Sequence, residues 1–272
     1  MVHHVARLDE PELIAPPAIL GFDAAQDCTR ILGRAKAAGV RWIGRYYSFN
    51  PRKNLSAPEA SAIQTAGLDI VSIWEAAGDR ATTFTYQNGR REALAALEQA
   101  RQVGQPPGSA IYFAVDFDAS ISQIDAGIIP YFRAANEVVP ADYVVDGYGS
   151  GLVLSRLDAE GLISHGWLAG AMGWQGSRAY KNAALTEIEQ DTPSDPWGFG
   201  FDVDRNYARP GNFGSWAGGT SLPPAPRDVI EEILSNVVFR EGVRTYQRPR
   251  GLLADGVIGP LTLAAIGEDM RR

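Results

Sequence analysis

Short apolar runs and segments of helical spacing alternate along the first two-thirds of the chain. Residues 19–25 read as a strand, with Asp23 near its C-terminal end. From Cys28 onward Ile31, Leu32, Ala35 and Ala38 recur at helical spacing, and Gly39 closes that helix as a left-handed cap. Residues 40–47 form a second strand. Ser56-Ala-Pro-Glu59 is a Ser-x-x-Glu capping box, which predicts a helix running to Gly67. Residues 68–75 are a third strand ending in Glu75. A helix over 90–103 places Leu94, Leu97, Ala100 and Val103 on one side. Residues 109–118 are a fourth strand. Ile121, Ile124, Ile128, Tyr131, Phe132, Ala135 and Val138 mark a strongly amphipathic helix with Pro130 inside it, where a kink is expected. Residues 143–148 give a fifth strand, and Ser150 opens a short helix closed at Gly161. Three extended segments follow with little helix between them: 165–171, 185–190 and 199–203.

Five strand–helix units and then three strands predict parallel strands joined by right-handed crossovers. The expected fold is therefore α/β, a TIM-like closed barrel near the lower size limit for that architecture. A doubly wound open sheet is the alternative, but no Gly-x-Gly-x-x-Gly follows the first strand. Residues 1–17 read as a polar arm and 18–215 as the barrel. Residues 216–226, rich in Gly and Pro, read as a linker, and 227–272 as a small helical C-terminal domain. About 45 residues is marginal for an independent core.

The fourth strand, Ser109-Ala-Ile-Tyr-Phe-Ala-Val-Asp-Phe-Asp118, carries the sharpest chemical signal. Extended throughout, it puts Tyr112, Ala114, Asp116 and Asp118 on one face. Two carboxylates at the end of a buried strand are costly unless paired, hydrogen-bonded or used. Strand-end and helix-capping roles are the structural alternative. Other strand ends add Asp23 and Glu75, and the last segment adds Asp202 and Asp204. In a parallel barrel these ends meet at one rim, so the pattern predicts an acidic cup. Carboxylates crowded there raise one another's pKa and can supply an acid beside a base. That suits glycoside hydrolysis, and it also suits a divalent cation. Tyr46, Tyr47, Trp74, Tyr148 and Trp174 fall near the same rim, where sugar rings could stack; taken singly, such an aromatic is more often a core residue.

Composition narrows the partners. The 272 residues carry 25 Lys and Arg against 32 Asp and Glu, a formal charge of −7, which argues against nucleic acid as the main partner. One cysteine, Cys28, allows no intrachain disulfide framework and no cysteine-built metal site. His3, His4 and His165 form no His-x-x-x-His pair. No metal ligand set and no cofactor is predicted. No apolar run approaches the ~20 residues needed to span a bilayer, and the N-terminal residues lack the apolar core of a signal peptide. A cytoplasmically made monomer that reaches its target after release or delivery is expected.

Several segments together carry a family resemblance. They are Gly-Phe-Asp23-Ala-Ala-Gln, Ile-Trp-Glu75, Ile-Tyr-Phe-Ala-Val-Asp116-Phe-Asp118, Gly-Tyr148, Gly-Trp174-Gln175 and Asp202-Val-Asp204-Arg-Asn. The ordered series resembles the glycoside-hydrolase-like domain family labelled domain of unknown function 1906, itself related to the family 25 lysozymes. The resemblance covers about residues 18–215 and implies cleavage of the β-1,4 bond after N-acetylmuramic acid in peptidoglycan. Such lysozymes carry an Asp on the first strand and Asp-x-Glu on the fourth. Asp23 and Asp116 match, whereas Asp118 stands where the Glu proton donor would be and is one methylene shorter.

What the resemblance implies is Asp118 as the acid, with Glu75 a close second. Asp116 would orient or stabilise charge, and Asp23 and Asp204 would position substrate or water. Asp202, Tyr46, Tyr148, Trp174 and Gln175 complete the implied substrate-binding set. Arg205 and Asn206 are expected to order the aspartates. In the tail, Asp255-Gly-Val-Ile-Gly259-Pro-Leu-Thr262 resembles the helical peptidoglycan-binding domain found beside cell-wall hydrolases; a plain helical brace is the alternative. Three readings stay open. The first is a cell-wall lytic enzyme, as an endolysin or a delivered effector; the second is a non-catalytic glycan-binding module. The third is a cation-dependent hydrolase of another ester or phosphate.

Overall fold

A computed structural model describes residues 19–189, 197–217 and 247–250. The expected N-terminal arm, most of the linker, and the C-terminal domain apart from 247–250 lie outside the described residues. Eight strands close into a barrel in sequence order. They are β1 (Ile19–Ala24), β2 (Trp42–Tyr47), β3 (Asp69–Trp74), β4 (Ala110–Ala114), β5 (Val144–Gly149), β6 (Gly166–Leu168), β7 (Ala183–Glu189) and β8 (Asp204–Ala208). Strands β1 to β7 are parallel, and β8 runs antiparallel to both β7 and β1. The helices are α1 (Leu32–Ala37), α2 (Ala57–Thr65), α3 (Tyr86–Val103), α4 (Ile121–Gln123), α5 (Ile129–Val138) and α6 (Gly151–Ala159). Among the described residues no helix is long and apolar enough to cross a membrane.

The period-two alternation sorts each strand into two faces. Trp42, Val71, Ile73, Tyr112, Trp167, Leu185 and Ala208 point into the barrel, and Phe22, Ile43, Ile70, Trp74, Ile111 and Phe113 face the surrounding helices. Trp167 stands at the centre. Its ring meets Trp42, Tyr112 and Tyr148 edge-on, with centroids 5.6, 5.5 and 5.8 Å away. The floor is closed by the segment after β8. Phe213 packs against Trp42, the Tyr112 hydroxyl donates to the Phe213 carbonyl (2.8 Å), and Trp216 pairs with Ile70 and donates from Nε1 to Ser72 Oγ (3.0 Å). Barrel packing thus extends through Trp216, one residue past the boundary drawn from composition.

Local signals explain most element ends. Ser56 accepts from the Glu59 amide and starts α2. Gly104 ends α3 in the left-handed conformation, at φ 75°. Helix α3 begins four residues before the periodicity indicates. Thr85 caps it by accepting from the Asn88 amide (3.1 Å), and Gly89 lies where a Cβ would meet the Tyr131 carbonyl oxygen at 2.2 Å. Gly89 therefore marks a close α3–α5 contact. The long amphipathic segment is interrupted as expected, but by a π-helical turn over Ile124–Ile128 just before Pro130. Proline has no N–H to continue the ladder, and the turn widens there.

The eighth strand corrects the sequence reading in position and direction. Residues 199–203 are not a strand, because Gly198 and Gly200 take positive φ and Phe199 packs outside the barrel against Phe22, with centroids 5.4 Å apart. The strand is the polar Asp-Arg-Asn-Tyr-Ala that follows, with Asn206 and Ala208 turned inward. A parallel eighth strand would bring its C-terminal end to the active rim. The antiparallel β8 brings its start there instead, with Asp204 opposite Asp23.

A buried ion pair fastens the helical layer to the rim. Arg45 on β2 makes a bidentate contact with Glu59 on α2 (2.6 and 3.0 Å), both side chains 1% exposed. The same guanidinium donates to the Ala24 carbonyl (2.6 Å) and the Lys53 carbonyl (3.3 Å). Glu59 also accepts from the Cys28 amide (2.9 Å). Removing one partner strands a charge in the interior. Glu59→Gln or Arg45→Met is expected to cost about 3–5 kcal/mol in denaturant unfolding, and the double replacement Arg45→Met/Glu59→Leu less than either alone.

At the opposite end of the barrel, Asp146 on β5 is wholly buried and accepts from the amides of Ser164 (2.8 Å) and His165 (2.7 Å) and meets His165 Nδ1 at 2.7 Å. Burial opposes charge on the imidazole, but the hydrogen bond and charge of Asp146 outweigh it and raise the His165 pKa. A group with a raised folded-state pKa stabilises fully below its unfolded value, and that stabilisation is lost as pH rises through the folded value. Thermal stability of the parent is therefore expected to fall, relative to His165→Asn, as pH is raised from about 6.5 upward. Equal slopes for the two proteins would remove the pair from that role.

Candidate active site

The mouth at the C-terminal ends of the parallel strands holds a cavity of about 340 Å³. Most of its wall residues stand near the C-terminal ends of the parallel strands. Strand β1 supplies Asp23, which is 5% exposed, and β2 supplies Tyr46. Glu75 follows β3 and Asp116 follows β4. Tyr148 comes from β5, Trp167 from β6 and Glu187 from β7. Asp204 opens β8, with Asp202 just before it. Gly44 makes room for this arrangement: a Cβ there would meet Asp23 Cβ at 2.6 Å and the Trp167 ring at 3.0 Å.

Partners fix each carboxylate differently. Asp23 accepts from the Tyr46 hydroxyl on one oxygen and from Asn206 Nδ2 on the other (2.8 Å). Asn206 in turn accepts from Trp167 Nε1 (2.8 Å), so one amide joins the barrel's central ring to its rim. Burial, then the facing Asp204 and Glu187, hold Asp23 well above the usual carboxylate range, against the two donors. Glu75 forms an ion pair with Lys53, whose ammonium also lies 3.9 Å from the centre of the Tyr46 ring. The Asp116 amide donates to the Gly78 carbonyl (2.8 Å), which sets its side chain over the cavity. Burial and then Glu75 raise the Asp116 pKa, while Lys53 lowers it.

Glu187 has the most constrained environment. It is 3% exposed, and its Oε2 accepts from the Tyr148 hydroxyl (2.7 Å) and the Gly170 amide (3.1 Å). Its Oε1 is buried and has no hydrogen-bond partner among the described residues. Burial is the main force that pushes the Glu187 pKa up to about 7, with Asp204 and Asp116 adding and the two donors opposing.

Of the residues read from the sequence, Asp23, Glu75, Asp116, Asp202, Asp204, Tyr46 and Tyr148 line this cavity. Asp118, Trp174 and Gln175 do not. Strand β4 ends at Ala114, so the alternation that would have carried Asp118 onto the inner face stops before it. Asp118 is exposed and accepts from the Gln175 amide (2.8 Å), which ties it to the loop after β6 that also holds Trp174. Tyr47 and Trp74 face the helical layer. Asn206 orders Asp23 as expected, and the Arg205 guanidinium lies over the Trp197 ring at 5.5 Å.

Glu187, Trp167 and Lys53 are cavity residues that the sequence reading missed. Glu187 was legible, because Leu185 and Glu187 share a face and an inward Leu185 makes Glu187 the next inward position. Trp167 sat in a segment read only as extended. Lys53 lies in the Asn- and Pro-rich loop after β2, and no periodicity reaches it. Among the described residues, no group of three or more His, Cys, Asp or Glu side chains is arranged to hold a metal ion.

Comparison with known proteins agrees with this architecture. The secreted protein Rv2525c of Mycobacterium tuberculosis, solved in complex with L-tartrate, superposes with a TM-score of 0.62 at 25% identity, over 74% of this chain and 98% of that one. The modular autolysin LytC of Streptococcus pneumoniae shares the fold at 14% identity, with a TM-score of 0.50 over 72% of this chain and 48% of that one. Among curated sequences, the uncharacterized protein YbfG of Bacillus subtilis is 29% identical over 212 residues, 71% of this chain and 28% of its own length. FadG of the same organism is 29% identical over 154 residues, 53% of this chain and 27% of its own length. The chain thus spans little more than a quarter of the curated relatives it matches. The Rv2525c-like, glycoside hydrolase-like domain matches residues 34–208, more than half of the sequence, and the chain belongs to that family.

Proposed function

We propose that this chain hydrolyses β-1,4 glycosidic bonds of peptidoglycan, as a muramidase acting on the cell wall after release or delivery. The observation that carries the reading is the cavity itself: six acidic side chains and the rings of Tyr46 and Tyr148 line one space at the C-terminal mouth of the barrel. Glycoside hydrolysis needs a protonated carboxylic acid beside ionised carboxylates, and this cavity places carboxyl groups in unlike environments. Burial and mutual repulsion keep a proton on part of the set. Charge on the remainder, including Glu75 beside Lys53, would stabilise positive charge developing at the anomeric carbon. Membership in a glycoside hydrolase-like family supports the reaction class. The strand-end motifs Gly-Phe-Asp23 and Ala-Val-Asp116, which resemble those of the family 25 lysozymes, support the muramidase specificity.

The test is release of reducing sugar from purified peptidoglycan by the full chain. The parent is expected to release it, and Asp23→Asn, Asp116→Asn and Glu75→Gln are expected to do so at least about a hundredfold more slowly. A parent that sediments with the walls but releases no sugar across pH and added divalent cations would replace the hydrolase with a glycan-binding module.

A further inference from the structure

We infer that Lys53 is a positioning residue of this site, whose ammonium group holds the Glu75 carboxylate and the Tyr46–Asp23 hydrogen bond in place for the reaction; the inference rests on the hydrolase reading and adds a residue to it. Six acidic side chains line the cavity, and Lys53 is the one basic side chain among the described residues that do so. The guanidinium groups of the adjoining strands are engaged elsewhere. Arg45 on β2 is bound in the bidentate pair with Glu59, and Arg205 on β8 lies over the Trp197 ring.

The lysine touches two members of the site at once. Its Nζ pairs with Glu75, both side chains 24% exposed, and lies 3.9 Å from the centre of the Tyr46 ring. The hydroxyl of that ring donates to Asp23. A cation on the face of a phenol draws electron density from the ring and makes its hydroxyl a stronger donor, so the charge is felt at Asp23 through Tyr46. A fully exposed ion pair contributes little. This one stands within an acidic wall, where water screens it less, and its geometry is fixed from the backbone. The Lys53 amide donates to the Asn50 carbonyl (3.0 Å), and the Lys53 carbonyl accepts from Arg45 (3.3 Å). Asn54 bridges to Tyr46, and the Leu55 amide donates to the Tyr46 carbonyl (2.8 Å). The loop is thus laced to the strand that carries Tyr46, which sets the ammonium over that ring.

The charge also reaches Asp116. Burial and then Glu75 raise the pKa of that carboxyl group, Asp204 and Asp79 add to the effect, and Lys53 opposes them. Lys53→Met keeps a side chain of similar length and removes the charge. Asp116 then titrates at a higher pH, and activity that uses its ionised form fails sooner as pH falls. Lys53→Arg keeps the charge and serves as the control.

The experiment measures reducing-sugar release from purified peptidoglycan by the full chain across pH. Lys53→Met is expected to lower kcat at least about tenfold, with KM within about threefold of the parent. It is also expected to move the acidic limb of the pH–rate profile upward by roughly half a unit to one unit, and Lys53→Arg to recover most of both. Tyr46→Phe and Lys53→Met act on one link, so the loss in the double variant is expected to fall short of the product of the single losses by at least about threefold. A loss equal at every pH and not recovered by Lys53→Arg is that of a merely structural residue and overturns the inference. So do parent-like rates for Lys53→Met, or a double variant that matches the product. A second readout needs no turnover. The carbon-13 signal of the Asp116 carboxyl, assigned by its loss in Asp116→Asn, is expected to titrate at a higher pH in Lys53→Met than in the parent or in Lys53→Arg; an unmoved midpoint overturns the inference. A parent that releases no sugar overturns the hydrolase reading, and the carboxyl titration then decides whether Lys53 orders the acidic set.

Discussion

Acidic side chains cannot share a small cavity without paying for it, and much of the architecture of this protein answers that constraint. The barrel brings six of them to one mouth, above a floor of tryptophan and tyrosine rings that offers little screening. Each solution is local. Asn206 and Tyr46 donate to both oxygens of one carboxyl group, and Lys53 matches another with a positive charge. Burial pushes Glu187 toward its protonated form. Differences in environment within one acidic set are what allow acid and base to coexist at a single pH.

The helical layer holds that set in place. Arg45 binds the carbonyls of Ala24 and Lys53, one beside Asp23 and the other the residue that pairs with Glu75. Its own charge is met by Glu59, which also holds the Cys28 amide at the start of the first helical segment. A single guanidinium thus connects the end of β1, the loop after β2 and the helix after that loop. Fixing these backbone atoms sets where two of the cavity's carboxylates can sit without touching either directly.

The sequence made most of this fold legible because the signals were periodic. Strand alternation and glycine-closed helices gave five strand–helix units and a barrel, and strand-end position gave Asp23, Glu75 and Asp116. It failed where the physics is not local. The last strand is polar on both faces, because Asn206 is buried by a specific bond to Trp167 rather than by hydrophobicity, so a neighbouring apolar segment took its place in the reading. Asp118 was carried onto the inner face by extending β4 beyond Ala114, where the Gly78 carbonyl takes the Asp116 amide and the chain turns away. Asp204 came out at the right rim for an inverted reason, since an antiparallel strand delivers its first residue where a parallel one delivers its last.

That antiparallel strand also bears on when the site comes into existence. The seam between β1 and β8 joins parts of the chain that are far apart, and the Asn206 to Asp23 bond across it spans 183 positions. Contacts of that separation carry a large loop-closure cost and form late in folding. During synthesis, β1 through β7 can be made and paired while the mouth still lacks Asp204, Asn206 and the strand that closes the ring. An incompletely folded chain therefore has no assembled acidic cavity, and the chemistry of the mouth arrives together with ring closure.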